Sequence, residues 1–165
     1  MAGILIIAHA PLATALRECV AHVYGALPAR IGAIDVLPDS DPVQVVALAH
    51  TEIDRLREEN GALVLTDMYG ATPANIASRL AAIPDVRVLA GVNLPMLMRS
   101  VCYRATPLDT LVDKALAGAS KGIHAIAPGE CVPPGMPVTA AGAAAPAVAS
   151  PAAGCASSSP SVAKP

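Results

Sequence analysis

The aliphatic residues of this chain fall into two kinds of pattern that take turns along its length. Ile4 to Ala8, Ile31 to Leu37, Ala62 to Thr66 and Val86 to Ala90 are compact apolar runs, the first and third without a polar break. Such runs read as strands buried on both faces, as inside a parallel sheet. Between them, apolar residues recur at helical spacing. The first helix follows His9, with Leu12, Leu16, Val20, Val23 and Leu27 as its stripe and Gly25 and Pro28 at its end. The second has Asp41 as N-cap, Pro42 at its first position and Gln44 three residues after the cap; it runs to about Glu59 and turns Val43, Val46, Ala47, His50, Ile53 and Leu56 inward. Asn60-Gly61 stops it. Thr72-Pro73 caps and opens a third helix that reaches about Ile83. Asn93-Leu94-Pro95 opens a fourth, carrying Met96, Leu97, Val101 and Cys102, and Thr106-Pro107 with Asp109 a fifth, ending near Ser120. Ile123 to Ala127 reads as a short last strand.

The predicted order is β-α-β-α-β-α-β-α-α-β, which means an α/β doubly wound parallel sheet covered by helices on both sides. With flavodoxin-like strand order, about 2-1-3-4, the chain reverses direction between strands 1 and 3 and a crevice opens there. The loops after those strands carry His9 and Asp67, so topology alone brings the two together. At about Pro128 the composition turns to Ala, Pro, Gly, Ser and Val, with Glu130 and Lys164 the only charged residues. The reading is therefore one domain over 1–127 and an Ala/Pro-rich disordered tail over 128–165.

Composition narrows the function. The chain is 54% hydrophobic but 2% aromatic, without Trp or Phe, so the core is aliphatic. A net charge of −2 gives no electrostatic case for nucleic acid or an anionic membrane. No run has the length of a membrane span, and no basic region precedes the first apolar run, which reads as a strand and not a signal peptide. Cys19, Cys102, Cys131 and Cys155 show no paired spacing and read as reduced thiols of a cytoplasmic protein. His22 falls off the first helix's stripe and should face solvent. His50 is expected to be a half-buried packing residue and His124 structural or interfacial; none has metal-ligand spacing.

The remaining histidine is placed for chemistry. A neutral imidazole attacks through one ring nitrogen when a carboxylate holds the other, fixing the tautomer and stabilising the positive charge that builds up. Asp67 is placed to do this for His9. A phosphoryl group there needs donors, and the helix starts at Ala10 to Ala13 and Thr72 to Asn75 offer N–H groups and positive dipole ends. Ala10, Gly70, Ala71 and Thr72 are the expected phosphate contacts, with the Thr72 hydroxyl an added donor and Gly70 allowing close backbone approach. No Lys or Arg lies in either loop, which suits transient carriage. Tyr69 reads equally as a loop anchor or a flank of the site. No metal and no cofactor is called for.

Three segments together carry a family resemblance: Ile4 to Pro11, Leu65 to Asn75 (LTDMYGATPAN) and Ala90 to Leu97 (AGVNLPML). Residues 1 to about 127 resemble the mannose-family IIA domain of the phosphoenolpyruvate-dependent sugar phosphotransferase system. The resemblance implies that His9 is the phosphorylated histidine, taking phosphate from HPr and passing it to a IIB domain. It implies that Asp67 orients that histidine and Thr72 contacts the phosphate. It also implies a homodimer in which the last strand, here Ile123 to Ala127, is exchanged, and a membrane connection only through a permease. Tyr69 and Ala71 stand where the family typically has Trp and a second Gly, and Ala10 where it has Gly. Without a IIB segment in the chain, the acceptor is either a separate IIB protein or a regulatory target for which this domain is a phosphate sink. The alternatives are the phosphocarrier subunit of a dihydroxyacetone kinase system, disfavoured by Asn93 to Leu97, and a non-phosphorylated regulatory binding module. A receiver domain phosphorylated on Asp67 would need an acidic pair after strand 1, where this chain has Ala8-His9-Ala10.

Overall fold

The computed structural model describes residues 1–126 and 128. Four strands, β1 (Gly3–His9), β2 (Ile31–Val36), β3 (Ala62–Thr66) and β4 (Val86–Ala90), form one parallel sheet in the order β2-β1-β3-β4. The helices are α1 (Leu12–Tyr24), α2 (Pro42–Leu56), α3 (Thr72–Ser78), α4 (Leu94–Tyr103) and α5 (Leu108–Lys121), with a 3-10 turn over Arg79–Ala82 continuing α3.

Strand alternation sorts the core into two layers. Ile4, Ile6 and Ala8 of β1 and Leu63 and Leu65 of β3 face α1, α4 and α5. Leu5 and Ile7 of β1 and Val64 of β3 face α2 and α3. Ile4 through Ala8 have no exposed surface, so each large side chain of β1 contributes about 1.5–3 kcal/mol of burial. This makes β1 the axis of the sheet and holds His9 at its carboxyl end. Two glycines let neighbours close on the amino end. A Cβ on Gly3 would lie 2.7 Å from the Leu56 carbonyl at the end of α2, and one on Gly61 would lie 2.0 Å from the Asp85 carbonyl oxygen.

The helix faces differ from the sequence reading. In α1 the inward set is Ala13, Leu16, Val20 and Tyr24, while Leu12, Val23 and Leu27 are exposed. The stripe is rotated because the small Ala13, and not Leu12, fits against the sheet beside the end of β1. In α2 the inward set is Val45, Val46, Ala49, Ile53 and Leu56; Val43, Ala47 and His50 face solvent. Five consecutive apolar residues from Val45 to Ala49 and Val43 nearby leave the period ambiguous, and close helix-sheet approach selects Ala49. His22 is exposed, as expected.

Caps differ too. Asp41 caps α2, its Oδ1 accepting the Val43 N–H at 2.9 Å, as read from the sequence. Thr72 does not cap α3: Ala71 takes that position and Thr72 is the first helical residue. Thr106 does not cap α5; its hydroxyl donates back to the Tyr103 carbonyl at 2.8 Å. Pro11 lies at the cap position of α1, just outside the expected first turn. Residues 123–126 form no strand, and Ile123, His124 and Ile126 are exposed. Residue 127, and the expected tail apart from Pro128, lie outside the described residues. Cys19 and Cys102 are free surface thiols. Among the described residues no helix is long and apolar enough to cross a membrane.

Candidate active site

β1 and β3 are neighbours, with Ile7 opposite Thr66. Asp67 follows β3 and therefore meets His9 at the carboxyl edge of the sheet. The His9 Nδ1 lies 2.7 Å from the Asp67 Oδ2, and the His9 main-chain N–H donates to the same oxygen at 3.0 Å. The Met68 N–H donates to Oδ1 at 2.8 Å. One carboxylate thus grips the histidine by ring and backbone together. Burial pushes the Asp67 carboxyl up, but the His9 N–H, the His9 ring and the Met68 N–H outweigh it and hold the group below the ordinary carboxylate value. An ionised carboxylate only accepts, so Nδ1 carries the proton and Nε2 the lone pair. The Asp67 side chain is 12% exposed and the His9 side chain 51%. The aspartate is shielded and the histidine ring is half-exposed.

The other expected contacts divide. Gly70 and Thr72 are exposed on the loop and helix start next to Asp67. Met68 to Ala71 form a turn closed by the Ala71 N–H on the Met68 carbonyl at 3.2 Å, with Gly70 at φ 83°. That conformation suits glycine. The same bond leaves the Ala71 N–H engaged. The Ala10 N–H is engaged as well, on the Val36 carbonyl at 3.0 Å. So of the four, the Ala10 and Ala71 N–H groups are not open donors, whereas no carbonyl of the described residues accepts from Gly70 or Thr72. Tyr69 crowns the turn, 90% exposed, and anchors nothing. No group of three or more potential metal ligands occurs among the described residues.

Two supports went unread in the sequence. Gly91, at φ 86°, donates its N–H to the Asp67 carbonyl at 3.0 Å, and Val92 donates to the Thr66 carbonyl at 3.0 Å. Asn93 then caps α4 by accepting the Met96 N–H at 2.8 Å and donates to the Ala119 carbonyl at 3.3 Å. AGVNLPML is therefore a brace that holds the aspartate's backbone. The signal was a glycine directly after a strand and an Asn-x-Pro helix start. The second support is Asp35 in β2, which accepts the Thr14 N–H at 3.1 Å.

A parallel sheet in 2-1-3-4 order, with a carboxylate-held, half-exposed histidine at its carboxyl edge, defines the class: a doubly wound α/β domain with a His–Asp pair at the end of its central strands. The chain belongs to the EIIA-man family, described as "PTS system fructose IIA component", which it matches over residues 3–116. It is 32% identical over 99 residues to the mannose-specific EIIAB component of the phosphotransferase system of Escherichia coli strain K12; the match covers 58% of this chain and 31% of that protein. Among solved structures, a phosphotransferase system component EIIA from Streptococcus agalactiae superposes with a TM-score of 0.69 at 28% identity, over 76% of this chain and 97% of that one. The mannose/sorbose-specific IIA subunit from Enterococcus faecalis has the same fold, with a TM-score of 0.69 at 20% identity, over 79% and 98% of the two chains. The protein is thus a mannose-family IIA component of the phosphotransferase system.

Proposed function

We propose that this protein is a phosphohistidine carrier: His9 Nε2 accepts a phosphoryl group from HPr and passes it to a IIB partner. The observation that carries the reading is the 2.7 Å contact from the shielded Asp67 to Nδ1 of a half-exposed His9. In the forward step the Nε2 lone pair forms the P–N bond as the bond to the donor breaks. The ring becomes positively charged, and Asp67 stabilises it through the Nδ1 proton, which stays in place. Return of the phosphoryl group to an acceptor reverses these changes. The open N–H groups of Gly70 and Thr72 and the Thr72 hydroxyl would receive the phosphoryl oxygens, with Ala10 and Ala71 as walls. Without Lys or Arg in either loop the group is held by weak dipoles, which favours passing it on. An A–B relationship is supported by the relatives' description as EIIAB components. We further infer a homodimer in the cytoplasm, joined through the segment after α5.

The test is transfer of label from phosphoenolpyruvate through enzyme I and HPr. Wild-type protein should take up base-stable, acid-labile label, and His9→Ala none. Label at the wild-type rate in folded His9→Ala would overturn the reading.

A further inference from the structure

The turn that follows His9 is held from two sides, and the carrier reading uses only one. On the β3 side stands Asp67. On the β2 side stands Asp35, half-buried, opposite Ala8 in the sheet register. Its Oδ1 accepts the Thr14 N–H at 3.1 Å. Helix α1 has no cap of its own: Pro11 at the cap position offers no side-chain acceptor, and the first turn contains no acidic residue. The carboxylate that fills this role comes from another strand, 21 residues away in sequence. Next to it, the Ala10 N–H is bonded to the Val36 carbonyl at 3.0 Å. The segment from His9 to Thr14 is therefore tied to β2 at two points and to β3 at His9 itself.

We propose that Asp35 is a positioning residue for phosphoryl transfer at His9, setting the first turn of α1 through the Thr14 N–H. The proposal rests on the carrier reading. Asp67 fixes the ring relative to β3. Asp35 fixes the helix start against which the phosphoryl group on that ring would lie. Loss of the bond lets the turn move relative to a ring that stays in place, and small misplacements of this kind are costly in rate. A carboxylate from outside the helix is a specific choice here, because Ser, Thr, Asp or Asn at the cap position is the ordinary local solution. Pro11, which stands at that position, has no side-chain acceptor to provide it.

A cap that only stabilised the helix would lower the denaturation midpoint and leave the rate per folded molecule unchanged. The experiment measures labelled phosphate transfer from HPr to the full chain, separating kcat from KM for HPr, at a temperature where circular dichroism shows each variant folded. Asp35→Ala should lower kcat about tenfold with KM unchanged. Asp35→Asn keeps an oxygen that can accept the Thr14 N–H and should stay within about twofold of wild type. Should the alanine variant not fold, Asp35→Ser, polar but too short to span the gap, takes its place with the same expectation. A folded alanine or serine variant with wild-type kcat overturns the proposal. So does an asparagine variant as slow as the alanine one, since charge and not the bond would then be responsible. Wild-type protein that takes no label overturns the carrier reading and this proposal together; labelled wild type with an unimpaired alanine variant overturns only this one.

Discussion

An imidazole whose Nδ1–H donates a hydrogen bond to a carboxylate keeps its lone pair at Nε2, and the His9 side chain is half-exposed. Asp67 does more than orient: its Oδ2 takes both the ring and the main-chain N–H of His9. Asp67→Asn keeps the side chain's size but gives up the charge and one acceptor. We expect phosphoryl transfer to fall about 10- to 100-fold in quench-flow experiments, the scale seen where a hydrogen-bond partner that orients a metal-bound histidine is lost, with the far-ultraviolet dichroism unchanged. The same contacts predict a pH effect. Because the folded-state value of Asp67 is held below 3.8, its contribution to stability is full above that ordinary value and is lost as pH falls through the folded value. Urea midpoints of wild type and Asp67→Asn should therefore differ most at pH 6 and converge as the solution is acidified below about pH 4. A constant difference across that range would contradict the ionised assignment. This pair was legible in the sequence because each residue follows an unmistakable buried strand. The state of the surrounding N–H groups was not, since the Val36 carbonyl that takes the Ala10 N–H lies on a different strand.

At the level of elements, strands were easier to read than helix faces. β3 and β4 have the residue bounds that their apolar runs predict; β3 is buried on both faces, which leaves such a run only one arrangement. The helices are apolar on more than one face, and which face goes inward depends on how near each helix comes to the sheet. Ala13 and Ala49, both without exposed surface, are the points of close approach. His50 was misplaced for this reason. Glycines at strand ends carry the same lesson with a measurable consequence. Gly61 has φ 72° and its missing Cβ would lie 2.0 Å from the Asp85 carbonyl oxygen, at the junction of β3 and β4. Gly70 has a similar φ of 83° but open space around it. Gly61→Ala should thus cost about 2–4 kcal/mol, combining backbone strain with overpacking. Gly70→Ala carries the strain alone, about 1–2 kcal/mol. Chemical denaturation separates the two, and equal losses would show that the Asp85 contact can relax.

Among the described residues the sheet ends in two strands, β2 and β4, of which β4 is the more exposed. Among the described residues β4 pairs only with β3, and its residues after Val86 are half-buried or exposed, Arg87 among the exposed ones. An open edge strand is a template for another strand. Directly after α5 comes Ile123-His124-Ala125-Ile126, with both isoleucines more than 70% exposed. Two large aliphatic residues three apart on a short apolar segment are left uncovered among the described residues. In the homodimer proposed above, each chain's segment would cover its partner's sheet edge. The sequence reads this segment as a strand, but residues 123–126 form none in the single chain, and a pairing that needs a second chain lies beyond what one chain's pattern can fix. If exchange across β4 joins the protomers, sedimentation should show a dimer, and replacing Ile123 and Ile126 by serine should shift it to monomer at the same concentration. His9 would keep its Asp67 contact in that monomer, because neither residue draws on the segment. A double variant that remains dimeric would move the interface elsewhere, with the exposed face of α1, from Leu12 to Val23, the next apolar surface to test.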